Sequence, residues 1–250
     1  MKSSNLKKKY NKFLNNFNFK NTFYPTYTTL SLIENSFNYT KKNQKILDLG
    51  CGSGIISACL YEKKFNQKFY LSDLSEKSVK VAKKNLNFMS KSCEFKNGDI
   101  FKPWQNYTFD LIVNDVSGVS STVSKISPWF KNIPIDKSID GTFLLKKATN
   151  DASKYMNDRG IFITPIISLS KVQSSLKIIK KKLNILKVKK IEWPLPKNMI
   201  KNLPILEKLK KRKIIDYCNK FGFIICYTLI IIAKKKKRLN LRIIMLNEKN

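Results

Sequence analysis

Histidine is absent from all 250 residues of this sequence. Its absence excludes catalytic triads that need an imidazole base, and it excludes metal sites that need histidine ligands. Any chemistry therefore depends on carboxylates, amides, hydroxyls, thiols and the backbone.

Cysteine is sparse and shows no pairing pattern. The five cysteines are Cys51, Cys59, Cys93, Cys218 and Cys226, and no two of them form a C-x-x-C pair. Many zinc and redox sites use C-x-x-C pairs. Because this sequence has none, we expect no metal site. The pattern predicts reduced, mostly buried thiols in a protein of the cytoplasm.

Long apolar runs are also lacking. The longest, residues 221–233, has about thirteen residues and is shorter than the roughly twenty that a helix needs to span a bilayer. The basic segment 1–9 leads into no apolar stretch, so we expect neither a secretory signal nor a membrane span.

Negative charge is scarce, and two interpretations of this remain open. The chain has 49 Lys+Arg against 17 Asp+Glu, a net charge of +32. A strongly basic surface attracts the phosphates of RNA. However, nearly all the charge is lysine, with abundant Asn and Ile, as an AT-rich coding sequence would produce, and arginine is preferred for bidentate phosphate recognition. The clusters 208–213 and 234–238 are either solvated faces or phosphate contacts.

A glycine-rich turn is the most informative motif that is present. Residues 48–54 read Asp-Leu-Gly-Cys-Gly-Ser-Gly, between an apolar run and a helix-like run. The pattern predicts a strand over 45–50, a tight turn and a helix over 54–64. Glycines allow a sharp turn and let a ligand approach backbone N–H groups.

Three later strand-like segments each end in polar residues. The segment 67–73 ends in Asp73, the segment 93–98 leads into Asp99, and the segment 109–115 ends in Asn114 and Asp115. In an open parallel sheet, ligands bind beyond the carboxyl ends of the strands. We therefore expect these side chains and Asp48 to converge on one crevice.

This order of motifs resembles the class I S-adenosylmethionine-dependent methyltransferases over roughly residues 20–170. The resemblance implies that S-adenosylmethionine is the cofactor. It also implies a set of cofactor contacts: Asp48, Gly50, Cys51, Gly52 and Gly54 at the methionine and sulfonium end, Asp73 and Leu74 at the ribose, Asp99 and Ile100 at the adenine, and Asn114 nearby.

Within that class, the chain is similar to enzymes that methylate amide or exocyclic nitrogens, including release-factor glutamine methyltransferases and small-domain RNA and DNA methyltransferases. The proline-containing lead-in, residues 23–30, supports this. The group carries Asn/Asp-Pro-Pro-aromatic after the fourth strand, whereas residues 114–118 here read Asn-Asp-Val-Ser-Gly. The resemblance implies that Asn114 positions the acceptor. Asp115 is either a second acceptor contact or base, or a cap of the next turn.

The predicted function is methyl transfer to a macromolecule, either to a protein amide or to an RNA nitrogen, and the ribosome and translation factors are the candidate partners. Two alternatives remain: a catalytically degenerate RNA-binding relative, and a methyltransferase of small molecules. The polar stretch 117–140 is expected to be a loop, either a lid over the acceptor or a segment anchored by Trp129 and Phe130.

The predicted fold is an α/β, Rossmann-like three-layer sandwich around a seven-stranded, mostly parallel sheet with an antiparallel last strand. We divide the chain into a basic segment 1–19, poorly ordered or a short helix, a methyltransferase domain 20–238 and a tail 239–250. We expect a monomer.

Overall fold

A computed structural model describes residues 3–116, 118–130 and 133–236, and these form an eight-stranded sheet flanked by helices. The strands are β1 Lys45–Leu49, β2 Lys68–Asp73, β3 Cys93–Asn97, β4 Phe109–Asn114, β5 Met156–Ile167, β6 Leu183–Pro194, β7 Cys218–Lys220 and β8 Phe223–Lys235.

The strand order is β3-β2-β1-β4-β5-β8-β6, with β7 paired to β8 outside this path. Strands β1 to β5 pair in parallel, and β8 is antiparallel to both of its neighbours, β5 and β6. The predicted sandwich with an antiparallel last strand is confirmed. The short β7 is an addition that forms a hairpin with β8.

Helices cover both faces of the sheet. They are α1 Ser3–Asn16, α2 Tyr27–Phe37, α3 Ile55–Tyr61, α4 Glu76–Asn85, α5 Ser121–Ile126, α6 Phe143–Ala152, α7 Val172–Lys182, α8 Lys197–Ile200 and α9 Leu203–Lys211. Helices α1, α2 and α3 pack together on one core, and α6 and α7 pack on another. A third cluster, which includes α9, surrounds Trp193.

The basic segment 1–19 contains a helix, the second of the two interpretations given to it. Tyr10 and Phe13 are buried in the core, with Leu14 and Phe17 packed beside them. This i, i+3, i+4, i+7 spacing gives the helix one apolar stripe despite its many lysines. The Tyr10 hydroxyl also donates a 2.8 Å hydrogen bond to Glu34 of α2.

Several boundaries differ from the sequence-based expectations. The stretch 117–140 contains α5 and a 3₁₀ turn, Pro128–Phe130, so the expectation of a continuous loop was wrong. Helix α9 ends at Lys211, and the basic residues after it lead through a turn into β7. The predicted tail 239–250 lies outside the described residues. Among those described, no helix has the length and apolar content to cross a membrane.

Candidate functional site

Three glycines of the turn after β1 have positive φ angles, and they differ in the space around them. Gly50, Gly52 and Gly54 have φ of +78°, +52° and +82°. A Cβ on Gly50 would lie 3.0 Å from Val116, and one on Gly54 would lie 2.8 Å from Leu86. A Cβ on Gly52 would meet no atom within 4 Å. Gly54 therefore allows the helices to pack closely, whereas Gly52 faces open space.

Asp73 at the end of β2 is bonded to this turn. The N–H of Gly52 donates a 3.0 Å hydrogen bond to Oδ2 of Asp73, and the N–H of Ser75 donates a 2.8 Å bond to Oδ1. Burial raises the pKa of Asp73, while the two backbone hydrogen bonds act in the opposite direction. A carboxylate oxygen accepts more than one hydrogen bond, so Asp73 can also accept from a ligand hydroxyl.

The segment after β3 has an unusual backbone. Ile100 has a φ of +53°, a left-handed conformation that is strained for a β-branched residue. Its backbone N–H has no hydrogen-bond partner among the described residues. The adjacent Asp99 accepts a hydrogen bond from Lys147 and lies 3.9 Å from the ammonium of Lys102. Such strain is commonly found where backbone groups contact a ligand.

These features border one hollow at the carboxyl ends of the parallel strands. Its wall combines many apolar side chains with a few polar strand-end groups, as small-molecule sites commonly do. The predicted site residues that line it are Gly50, Cys51, Gly52, Asp73, Leu74, Asp99, Ile100 and Asp115. Asp48, Gly54 and Asn114 do not line it.

Asp48 lies beneath the glycine turn instead. It is 1% exposed, and its Oδ2 accepts hydrogen bonds from the Ser57 hydroxyl at 2.7 Å and the Ser57 N–H at 3.2 Å. Its Oδ1 has no partner among the described residues. Burial raises the pKa of Asp48 to about 7, the Ser57 bonds lower it, and the charge of Asp73 raises it further. Asp48 therefore ties the end of β1 to helix α3, which follows the glycine turn.

Asn114 and Asp115 have different surroundings, although they are neighbours in sequence. Asn114 is 1% exposed, and its Nδ2 donates a 2.9 Å hydrogen bond to Thr164 in β5. Asp115 borders the hollow, and its Oδ2 accepts a 3.1 Å hydrogen bond from Thr29 of α2. Removal from water raises the pKa of Asp115 to about 7, the Thr29 bond lowers it, and the charge of Asp48 raises it.

Thr29 was missed as a site residue by the sequence reasoning. It lies inside the lead-in 23–30, whose proline had been noted, but a threonine hydroxyl carries no specific signal. Pro25, Thr26, Thr28 and Thr29 line the hollow, so this lead-in forms one of its walls.

The stretch 117–140 also contributes to the hollow. Phe130, Ile133 and Pro134 line it, and the Phe130 ring lies 5.3 Å from that of Phe23. Trp129 packs on Trp193, with ring centroids 5.9 Å apart. The stretch is thus both anchored to the core and part of the site wall. No three His, Cys, Asp or Glu side chains group as a metal site within the described ranges.

The residues present fit a sulfonium nucleoside. The space beside Gly52 would be filled by a Cβ, the Ile100 N–H is an unused donor, and Asp73 offers acceptor oxygens at the end of β2. An acid at that position is suited to ribose hydroxyls, and the glycine backbone allows close approach. The largely apolar remaining lining suits an adenine ring.

Comparisons with known proteins agree with this arrangement. The chain is 33% identical over 79 residues to a ribosomal protein L11 methyltransferase of Thermotoga neapolitana, covering 31% of this chain and 29% of that protein. It is 31% identical over 129 residues to a release factor glutamine methyltransferase of Thermodesulfovibrio yellowstonii, covering 49% of this chain and 46% of that protein. The chain thus spans less than half the length of these relatives.

The fold is also found among solved structures. A ribosomal protein L11 methylase from Lactobacillus delbrueckii subsp. bulgaricus superposes with a TM-score of 0.51 at 14% identity, covering 86% of this chain and 82% of that one. The family model described as a methyltransferase domain matches residues 40–235, which is most of the chain. The chain therefore belongs to the methyltransferase domain family.

Proposed function

We propose that this chain transfers a methyl group from S-adenosylmethionine to a nitrogen of a macromolecular acceptor in the cytoplasm. The observation that carries the acceptor assignment is the position of Asp115, whose carboxylate borders the hollow beside the end of β4. The names of the two relatives, which act on ribosomal protein L11 and on release factor glutamine, support a macromolecular acceptor.

In this proposal, the rim of the sheet holds the cofactor. The Gly52 backbone gives the methionine end close access, Asp73 accepts from the ribose hydroxyls, and the Ile100 N–H donates to the adenine. The bound cofactor supplies an activated methyl group on a sulfonium. Because that group is already reactive, the protein contributes mainly orientation and exclusion of water.

Asp115 is the residue that we assign to orienting the acceptor. Its carboxylate accepts the Thr29 hydrogen bond through Oδ2, so the other oxygen remains to accept from an acceptor N–H. Such a bond directs the nitrogen lone pair along a fixed line. Asn114 is not assigned to this task, because its amide donates to Thr164 inside the sheet.

The missing Pro-Pro-aromatic corner is compensated in part by backbone bonding. The N–H of Asp115 donates a 2.9 Å hydrogen bond to the carbonyl of Leu49, and Val116 packs against the glycine turn at Gly50. These contacts tie the start of the loop after β4 to β1. Asp115 is therefore held in place without the two prolines.

Transfer of tritium from methyl-labelled S-adenosylmethionine into fractionated cell extract tests the proposal. We expect label in the protein or RNA fraction with the unaltered chain, and strongly reduced label with Asp115→Ala. Asp158→Ala, at a fully exposed side chain, is the matched control and should label normally. Label in small metabolites alone would contradict a macromolecular acceptor. Cofactor binding without any transfer would favour the catalytically degenerate alternative.

A further inference from the structure

A second cavity opens beside the hollow and is lined by aromatic side chains together with proline, threonine and aliphatic residues. Its aromatic lining consists of Phe23, Tyr24, Tyr27, Trp129, Phe130 and Trp193. We call it the aromatic pocket. Phe23, Thr28, Phe130 and Ile167 line both this pocket and the hollow, so a group placed in one lies next to the other.

The lining of the aromatic pocket selects a neutral, flat occupant. None of the described residues that line it carries a charge. The Trp129 and Trp193 rings meet at 68°, and Phe23 and Phe130 meet at 48°, so several ring faces and edges border the space. Aromatic walls stack well on planar heterocycles.

A basic arm rises next to the aromatic pocket. The arm is the connection of residues 195–222 between β6 and β8, and it contains α8, α9 and β7. Strand β8 is antiparallel to both β5 and β6, so β5 and β6 run in the same direction. The end of β6 and the start of β8 therefore lie at the carboxyl end of β5, where the hollow is. The arm therefore stands at the substrate side of the protein.

The arm combines cations with an exposed ring. Between Lys197 and Lys213 the chain has seven basic residues and one acidic residue. Lys208, Lys211 and Lys213 are exposed and have no carboxylate partner among the described residues. At the hairpin tip, Phe221 is 97% exposed, so its ring is almost entirely in contact with solvent. Lysines beside exposed rings are typical of surfaces that bind single-stranded nucleic acid.

We propose that single-stranded RNA binds along the arm and places one base in the aromatic pocket, next to the hollow. This inference rests on the proposed function, because it names the acceptor class of the same site. The lysines of the arm complement phosphates, and the rings complement unstacked bases, which a duplex does not offer. Tyr24 and Phe221 are the exposed rings that stack on bases at the two ends of this path.

Fluorescence anisotropy with a labelled, mixed-sequence RNA of about 20 nucleotides, single-stranded and as a duplex, tests this inference. Stacking contributes about 1–3 kcal/mol per base, so Tyr24→Ala and Phe221→Ala should each weaken single-strand binding about fivefold or more. Tyr24→Phe should bind normally. Phe88→Ala, at an exposed ring outside the arm and the pocket, is the matched control and should leave affinity unchanged.

The charge contribution is tested by salt dependence. Lys208→Gln with Lys211→Gln should reduce the slope of log affinity against log salt by about 1.4, because each lost phosphate contact on a single strand accounts for about 0.7. Lys77→Gln with Lys84→Gln is the matched control. These exposed positions on α4 lie on the β3 side of the sheet, away from β6 and β8, so losing the same charge there should leave the slope unchanged.

In these binding measurements, any of three results would overturn the inference: equal binding of single strand and duplex, equal affinity of the ring variants and Phe88→Ala, or equal slopes for the two lysine pairs. Titration with S-adenosylmethionine, together with the methyl-label experiment, separates failure of the RNA inference from failure of the proposed function. Cofactor binding with methyl label only in protein would remove the RNA inference and keep the proposed function. RNA binding that depends on the two rings, without any cofactor binding, would remove the proposed function and keep the RNA-binding surface.

Discussion

The backbone N–H of Gly52 donates a 3.0 Å hydrogen bond to Oδ2 of Asp73, which joins the turn after β1 to the end of β2. The two residues are twenty-one positions apart in the chain. This bond fixes the turn and the carboxylate relative to each other before any ligand arrives. The site is therefore preorganised, and changes at either residue should affect cofactor affinity more than folding.

The glycines of the turn should respond differently to alanine. The Cβ of Gly52→Ala would meet no protein atom and would project into the hollow, so we expect the affinity for S-adenosylmethionine to fall. The loss of stability should be small, about 1 kcal/mol, and should come from the positive φ. Gly54→Ala meets Leu86 at 2.8 Å and should lower the melting temperature more. Calorimetric titration and thermal melts measure the two effects, and the reverse pattern would contradict these assignments.

Asp48 should make stability depend on pH. Its pKa is about 7 in the folded chain and about 4 in an unfolded one, so the folded state binds the extra proton between these values. Stability should therefore fall as the pH rises from about 4 to about 7. Asp48→Asn should flatten this decline in thermal melts recorded across that range. Asp158→Asn is the control, and an unchanged profile in Asp48→Asn would show that another group is responsible.

Asp115 should make methyl transfer depend on pH. Only the ionised carboxylate offers both oxygens as acceptors, so the single-turnover rate should rise as the pH increases and level off above about 7. Asp115→Asn should lose this rise and be about 10- to 100-fold slower, from loss of a charge-assisted hydrogen bond. Its cofactor affinity should be unchanged. A rate profile shared by both proteins would exclude the assigned role.

Helix α1 should contribute to stability. Phe13 is buried against the core beside α2 and α3, so Phe13→Ala should lower the free energy of unfolding by about 3 kcal/mol in urea titrations. Phe88→Ala removes the same ring at an exposed site and should cost much less. Equal losses in the two variants would mean that α1 does not pack as described.

The glycine turn and the strand-end acids could be predicted from sequence because both are local signals. A glycine-rich turn between an apolar strand and a helix has few structural solutions, and acids ending successive parallel strands share one rim. Asp73, Asp99 and Ile100 accordingly border the hollow.

The assignment at the end of β4 could not be settled from sequence, because successive strand residues point to opposite faces. A shift of one residue decides whether Asn114 or Asp115 reaches the hollow, and neither side chain signals the register. The direction of the Asp48 side chain could not be predicted either, because an acid at the end of a strand can face a ligand or a neighbouring helix. Asp48 faces Ser57 of α3. The aromatic pocket was also hidden, because Tyr24, Trp129 and Trp193 are distant in sequence.

Calorimetric titration of S-adenosylmethionine into the unaltered chain and into Asp73→Ala tests the central claim most directly. We expect the unaltered chain to bind one equivalent, and Asp73→Ala to bind more weakly by about 1–3 kcal/mol because charge-assisted hydrogen bonds to the ribose are lost. Asp158→Ala should bind like the unaltered chain. No heat of binding in the unaltered chain, or equal affinity in Asp73→Ala, would contradict the account.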